Sequence, residues 1–232
     1  MGLTATEWTI VGLSLKVGLV AMAVTLPVAF ALAYLLARGR FPGKVLVDSI
    51  VHLPLVLPPV VIGWLLLIAF GRSGPIGGLL ERWFGVTVIF RWTGAAIAAA
   101  VMALPLMVRA IRLSIESVDR GLESAARTLG ASRWDAFLTV TLPLSLPGVY
   151  AAIVLGFARS LGEFGATITF VSNIPGETRT LPLAIYSALQ VPGSDRMVLR
   201  LAMISIALSL SALILSEWLA RRTGHGRSGH VL

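Results

Sequence analysis

The chain has 232 residues, of which 56% are hydrophobic and only 13% charged, about half the charge of a soluble domain, which excludes an ordinary water-soluble fold. Its net charge of +8 sits mostly between apolar runs, where cations orient a membrane protein and touch anionic membrane lipid, so no nucleic-acid partner is expected. Cysteine is absent, which excludes disulfides, thiolate metal sites and a cysteine nucleophile.

The N-terminal stretch MGLTATEWTI has no positive start and no small-residue cleavage site, so the first apolar run is expected to stay in the membrane rather than be cleaved as a signal peptide. Five runs approach the roughly 20 residues that cross a bilayer as a helix: residues 10–37, 50–70, 93–111, 148–171 and 198–220. The expectation is an all-α polytopic membrane protein forming a single transmembrane domain over 1–232.

The second run holds Pro54, Pro58 and Pro59. Each proline removes a helix hydrogen bond and clashes with the preceding turn, so this span is expected to kink, either to line a pathway or for packing. His52 beside them is expected to be a satisfied polar group. After this run comes GRSG, residues 71–74, which fits the serine motif of rhomboid intramembrane proteases. Ser73 would then need a histidine base, and His52 is the only one in a span; this is a remote alternative. Gly43-Lys44 lacks the rest of a phosphate-binding loop, so ATP hydrolysis is not expected in this chain.

Residues 112–146 are polar enough to leave the bilayer yet varied in composition. The order predicts a helix, a glycine turn, a second short helix and a proline stop. In the fourth run, Arg159 and Glu163 fall mid-span, where each ionisable group costs about 2.5–3.5 kcal/mol on insertion scales. A continuous helix would place them on one face with Thr167 and with Ser160 beside it. One reading is a local ion pair, although Glu before Arg is the better order at this spacing, and Gly162 and Gly165 make a regular helix there uncertain. The preferred reading is a polar face lining an anion route, comprising Arg159, Ser160, Glu163, Thr167 and Thr169. Residues 181–191 are too short to cross and are expected to form an interfacial or re-entrant helix. In the preceding outer loop, Glu177 and Arg179 either contact a binding protein or are simply solvated. The basic tail, about 222–232 with His225 and His230, is expected to be flexible and solvated.

Lysine and arginine counts set the orientation. With the N-terminus outside, the inner segments hold eleven (Arg38, Arg40, Lys44, Arg109, Arg112, Arg120, Arg127, Arg133, Arg221, Arg222, Arg227) and the outer segments six. The excess predicts an N-terminus outside and a C-terminus in the cytoplasm.

In the inner segment Ser124-Ala125-Ala126 is followed by three residues and Gly130, then nine residues, Val140, one residue and Leu142-Pro143. This resembles the EAA loop of binding-protein-dependent ABC importer permeases, whose pattern is E-A-A, three, G, nine, I, one, L-P. Ser124 stands where the family has glutamate and Val140 where it has isoleucine, while Glu123 lies one residue early. HLPLVLPPVVIG (52–63), RSLGEFGATITFVSNIPGETRT (159–180) and AARTLGASRW (125–134) together resemble molybdate ABC transporter permeases over most of the chain; sulfate permeases share the core in general form.

The resemblance implies a type I ABC importer permease fold with about five transmembrane helices in the cytoplasmic (inner) membrane. It implies that Ser124, Ala125, Ala126, Gly130 and Ala131 dock an ATPase. The implied partners are a second copy of the chain, two ATP-binding-cassette subunits carrying ATP and Mg, and a periplasmic or lipid-anchored molybdate-binding protein. No cofactor is implied in this chain. Permeases for sulfate or tungstate are the alternatives.

Overall fold

The computed structural model describes residues 3–224, and among these every regular element is helical. The 34-residue helix α1 (Ala5–Arg38) begins at a capping box, in which Thr4 accepts the Glu7 amide and the Glu7 carboxylate accepts the Thr4 amide. At 1.5 Å per residue it is about 51 Å long, well beyond the roughly 30 Å hydrocarbon core, so its first turns form a separate layer. There Glu7, 1% exposed, pairs with Arg200 of α11 (Asp195–Gly224) at 2.8 Å, and Ser14 Oγ accepts the Leu181 amide at the start of α10 (Leu181–Leu189). Ile10, Leu181, Ala184 and Leu201 close a small apolar cluster around these bonds.

The main core is built on α5 (Trp92–Glu116). Ala95, Ala98, Ala99 and Ala103 are at most 1% exposed, and such small residues let helix backbones approach closely in a membrane. α1 and α8 (Leu142–Leu161) both pack on α5 and also touch each other. Gly156 of α8 leaves no room for a side chain: a Cβ there would lie 2.7 Å from the sulfurs of both Met22 and Met107. α11 lies outside α8. Lys16 of α1 places its ammonium 3.7 Å from the ring centroid of Trp92, a cation–π contact.

Among the described residues, four continuous helices are long and apolar enough to cross a bilayer, and one bent pair brings the number to five if it is one broken span rather than a re-entrant loop. That pair corrects the expected second span. It is not one helix over 50–70 but α2 (Lys44–Val56) and α3 (Pro59–Phe70), bent by 116°. The fourth span is also displaced. The apolar helix runs from Arg133 to Leu161, and residues 165–171 form a separate element, α9 (Gly165–Val171).

The polar segment 112–146 gives α6 (Arg120–Thr128) and α7 (Arg133–Ala136), as the sequence predicts. The proline stop is absent. α7 continues through a π-turn over Phe137–Thr141, where the Leu142 amide reaches Phe137 O, straight into α8. A widened turn before Pro143 accommodates a ring that would clash in a regular turn, so the proline passes within the first turn of α8. A short helix, α4 (Pro75–Phe84), occupies part of the expected outer loop and exposes Leu79, Trp83 and Phe84. From residue 225 onward the tail, with His225 and His230, lies outside the described residues.

Candidate functional site

Two helix breaks meet inside the fold. The first is the α2–α3 bend at Leu57–Pro58, with Pro58 as the cap of α3 and Pro59 at its first turn. The second separates α8 from α9 at Gly162–Phe164. α3 and α9 pack against each other through two glycines. A Cβ at Gly63 would lie 2.5 Å from Ala166 O and 2.8 Å from Thr169 Cβ, and one at Gly165 would lie 2.8 Å from Pro59 Cβ. Non-helical backbone at membrane depth is tolerated only where protein buries it or a water-filled cavity borders it. The junction of these breaks is therefore the candidate pathway.

The charged pair sits at the second break. Arg159 Nη1 lies 2.7 Å from Glu163 Oε2, with Arg159 26% exposed and Glu163 2%. Glu163 Oε1 accepts the Ala166 amide at 2.8 Å. The ion pair that the residue order disfavours is thus present, because the order rule applies to a continuous helix. Here the helix ends between the two residues, so the arginine lies in the last turn of α8 and the carboxylate at the start of α9. Each charge is at the helix end whose dipole favours it.

The break also corrects the expected single face. Arg159 and Glu163 meet, whereas Ser160 Oγ is buried without a hydrogen-bond partner. Thr167 and Thr169 belong to α9 and do not continue the face of α8. Thr167 is 2% exposed, and Thr169 Oγ1 donates to Gly165 O of its own helix.

In the polar segment 112–146 Asp119 caps α6 by accepting the Gly121 amide. The helix ends where Gly130, at φ +97°, donates to Arg127 O, and Ala131 donates to Ala126 O. These are the two bonds of a Schellman motif, which needs a left-handed residue where Gly130 stands. Ser124, Ala125 and Gly130 are exposed, with Ala126 and Ala131 half-buried. Ser124 Oγ only donates back to Arg120 O. Leu129 at the helix end is 90% exposed; an apolar side chain so bare beside small residues suits a protein partner.

Glu123, Arg38 and Thr141 fasten this helix to the body through a pairing that the sequence does not reveal. Glu123 accepts from Arg38 Nη2 of α1 at 2.9 Å and from Thr141 Oγ1 of the π-turn at 2.6 Å. Arg38 also donates to Val118 O. The signal for Glu123 in the sequence is its place one residue before the motif position held by Ser124, and nothing local indicates a partner 85 residues away.

His52 is satisfied, its Nδ1 lying 2.8 Å from Asp48 O and 3.3 Å from Asp48 Oδ1. Asp48 in turn pairs with Arg112, tying α2 to α5. The structure does not bring Ser73 to His52: all of α3, about 18 Å of helix, lies between them. Glu177 and Arg179 are half-buried, Glu177 accepting the Trp92 amide and Arg179 donating to Asn173 Oδ1.

Residues 25–225 match the family described as binding-protein-dependent transport system inner membrane component. The chain is 62% identical over 221 residues to the molybdenum transport system permease protein ModB of Escherichia coli (strain K12), covering 95% of this chain and 96% of that one. It is 60% identical over 216 residues to the protein of the same name from Haemophilus influenzae, covering 93% and 94%. Identity to the sulfate transport system permease protein CysT of Escherichia coli (strain K12) is 37% over 202 residues, covering 86% and 71%. Among solved structures, a bacterial ABC transporter involved in import of the acidic polysaccharide alginate superposes with a TM-score of 0.74 at 17% identity, over 95% of this chain and 80% of that one. That likeness is one of fold, and the fold is that of type I ABC importer permeases.

Proposed function

This chain belongs to the family of binding-protein-dependent transport system inner membrane components, and we propose that it is the membrane-spanning subunit of an ATP-driven importer carrying molybdate across the cytoplasmic membrane. The observation that carries the substrate is 62% identity, across nearly the whole chain, to a molybdenum permease, against 37% to a sulfate permease.

Two copies would form the pathway, with the N-terminus outside and the C-terminus in the cytoplasm. Two ATP-binding-cassette subunits, holding ATP and Mg, dock on α6 and the turn at Gly130. A binding protein delivers the oxyanion to the outer face, where the loop carrying Glu177 and Arg179 lies. Closure of the ATPases moves α6, and Glu123 passes that movement to Arg38 on α1 and Thr141 at the entry to α8. At the junction Arg159 supplies positive charge while Glu163 occupies it in the resting state. A tetrahedral dianion that takes the place of Glu163 at the guanidinium is attracted without being trapped, because conduction needs binding weak enough for exit.

The test is uptake into proteoliposomes holding the chain with its ATPase and binding protein. ATP-dependent molybdate uptake that excess sulfate does not suppress is the expected result. Preferential sulfate or tungstate uptake would reassign the substrate, and movement without ATP or ATPase would overturn the importer reading.

A further inference from the structure

A groove of about 990 Å³ lies away from the junction, between α1 and the continuous α7–π-turn–α8 segment. One wall is a stripe of α1 that includes Pro27, Ala31 and Leu35, all exposed; the other includes Phe137, Leu142 and Leu146. Along α1 it runs from Leu26 to Gly39, about 20 Å of helix, against roughly 15 Å for the hydrocarbon of one leaflet.

Its polarity is one-sided. The only charged residues lining it are Arg38 and Arg133, both at the end nearest the docking helix. Arg133 is exposed, and Arg38, though its Nη2 serves Glu123 and Val118, keeps a buried Nε without an acceptor. Trp134, 73% exposed, stands at the same end with its ring edge-on to Phe137, the placement of an aromatic at headgroup depth. A leaflet-long apolar slot ending in two cations complements an amphiphile with an anionic head. A free phosphate would leave the slot empty, and an apolar helix from a second copy would bring no anion to Arg38.

We propose that this groove binds one anionic phospholipid, its acyl chain along α1 and its phosphate at Arg38 and Arg133. That the neighbouring helix α6 docks an ATPase, and that this leaflet is the cytoplasmic one, rest on the function proposed above. Because Arg38 also holds Glu123, the bound headgroup stiffens the attachment of the docking helix.

The experiment is native mass spectrometry of the complete transporter in mild detergent, with equal phosphatidylglycerol and phosphatidylcholine of the same chain length. Wild type is expected to retain phosphatidylglycerol preferentially. Arg133→Gln should lower that retention about fivefold, the loss typical of one arginine near an anionic surface, and Ala31→Trp, which fills the slot, should remove both lipids. Equal retention of the two lipids by wild type, or unchanged preference in Arg133→Gln, overturns the proposal. So does a cross-link between two copies through Leu35→Cys, in a chain with no other cysteine. The readout is retained mass, so it stands apart from which anion is carried, and the exposed position of Arg133 keeps that arm decisive if Ala31→Trp fails to fold.

Discussion

Arg38, in the last turn of α1, and Glu123, in the helix α6 proposed to dock the ATPase, meet at 2.9 Å with side chains only 11% and 25% exposed. α6 has no buried residue of its own, so apolar packing does little to hold it. Its attachment rests on Glu123, which ties it at once to α1 and to the π-turn leading into α8, and on Arg120, which donates to Ala37 O of α1. A helix held by a few polar bonds near its start moves as a lever about them.

Glu123→Ala should therefore separate ATP hydrolysis from uptake. Hydrogen bonds to a charged group contribute about 1.5–3 kcal/mol, so molybdate moved per ATP should fall about tenfold or more while hydrolysis continues. Uptake and phosphate release measured on the same proteoliposomes check this. A parallel fall in both would place Glu123 in ATPase binding rather than in transmission.

Glu163→Gln should leave the Arg159 guanidinium without its counter-charge in a largely buried setting, and removing one partner of such a pair is strongly destabilising. Uptake is expected to fall at least about tenfold. Arg159→Lys keeps the charge but loses the planar fork that meets Glu163, so it too should reduce uptake. Full transport by Arg159→Lys in an ATP-driven uptake assay would mean that charge alone serves at the junction.

The spans were the most legible part of the sequence, because twenty-odd apolar residues in lipid have few structures open to them. α1, α5 and α11 appear close to where the apolar runs lie. The breaks were less legible. Prolines in the second run indicated a kink but not a 116° bend, whose size depends on the close packing of α3 on α9 at Gly63 and Gly165. Pro143 read as a stop because a local rule does not foresee a π-turn ahead of it. At the site, the adjacency of Arg159 and Glu163 was legible from their spacing, while the ion pair between them was undervalued because its energetics depend on where the helix ends. Glu123 was hidden for a different reason: its partners are remote in sequence, and tertiary pairing leaves no local periodicity.

Gly130→Val should break the turn that orients the docking surface. At φ +97° a side chain costs about 1–2 kcal/mol in the left-handed region, and a β-branched one is less tolerated still. The spans should insert normally, with ATP-stimulated uptake lost and binding of the ATPase weakened. Gly130→Asn, which tolerates this conformation better, should be milder. Equal coupling in wild type and Gly130→Val, measured as uptake per ATP, would remove the turn from the docking contact.

Gly63→Ala tests whether the two breaks are held as tightly as they lie. The added methyl would stand 2.5 Å from the Ala166 carbonyl oxygen, a backbone atom that has no rotamer to escape into, so α3 and α9 must part. Overpacking of this kind costs about 1–3 kcal/mol, which should appear as a lower melting temperature of the purified complex. Because the displaced helices carry both breaks, uptake should fall further than stability. Gly12→Ala is the matched control, since nothing lies within 4 Å of a Cβ there, and it should melt and transport like wild type. If Gly63→Ala behaves like that control, α3 and α9 do not need their close contact, and the junction is a passive seam rather than the moving part of the pathway.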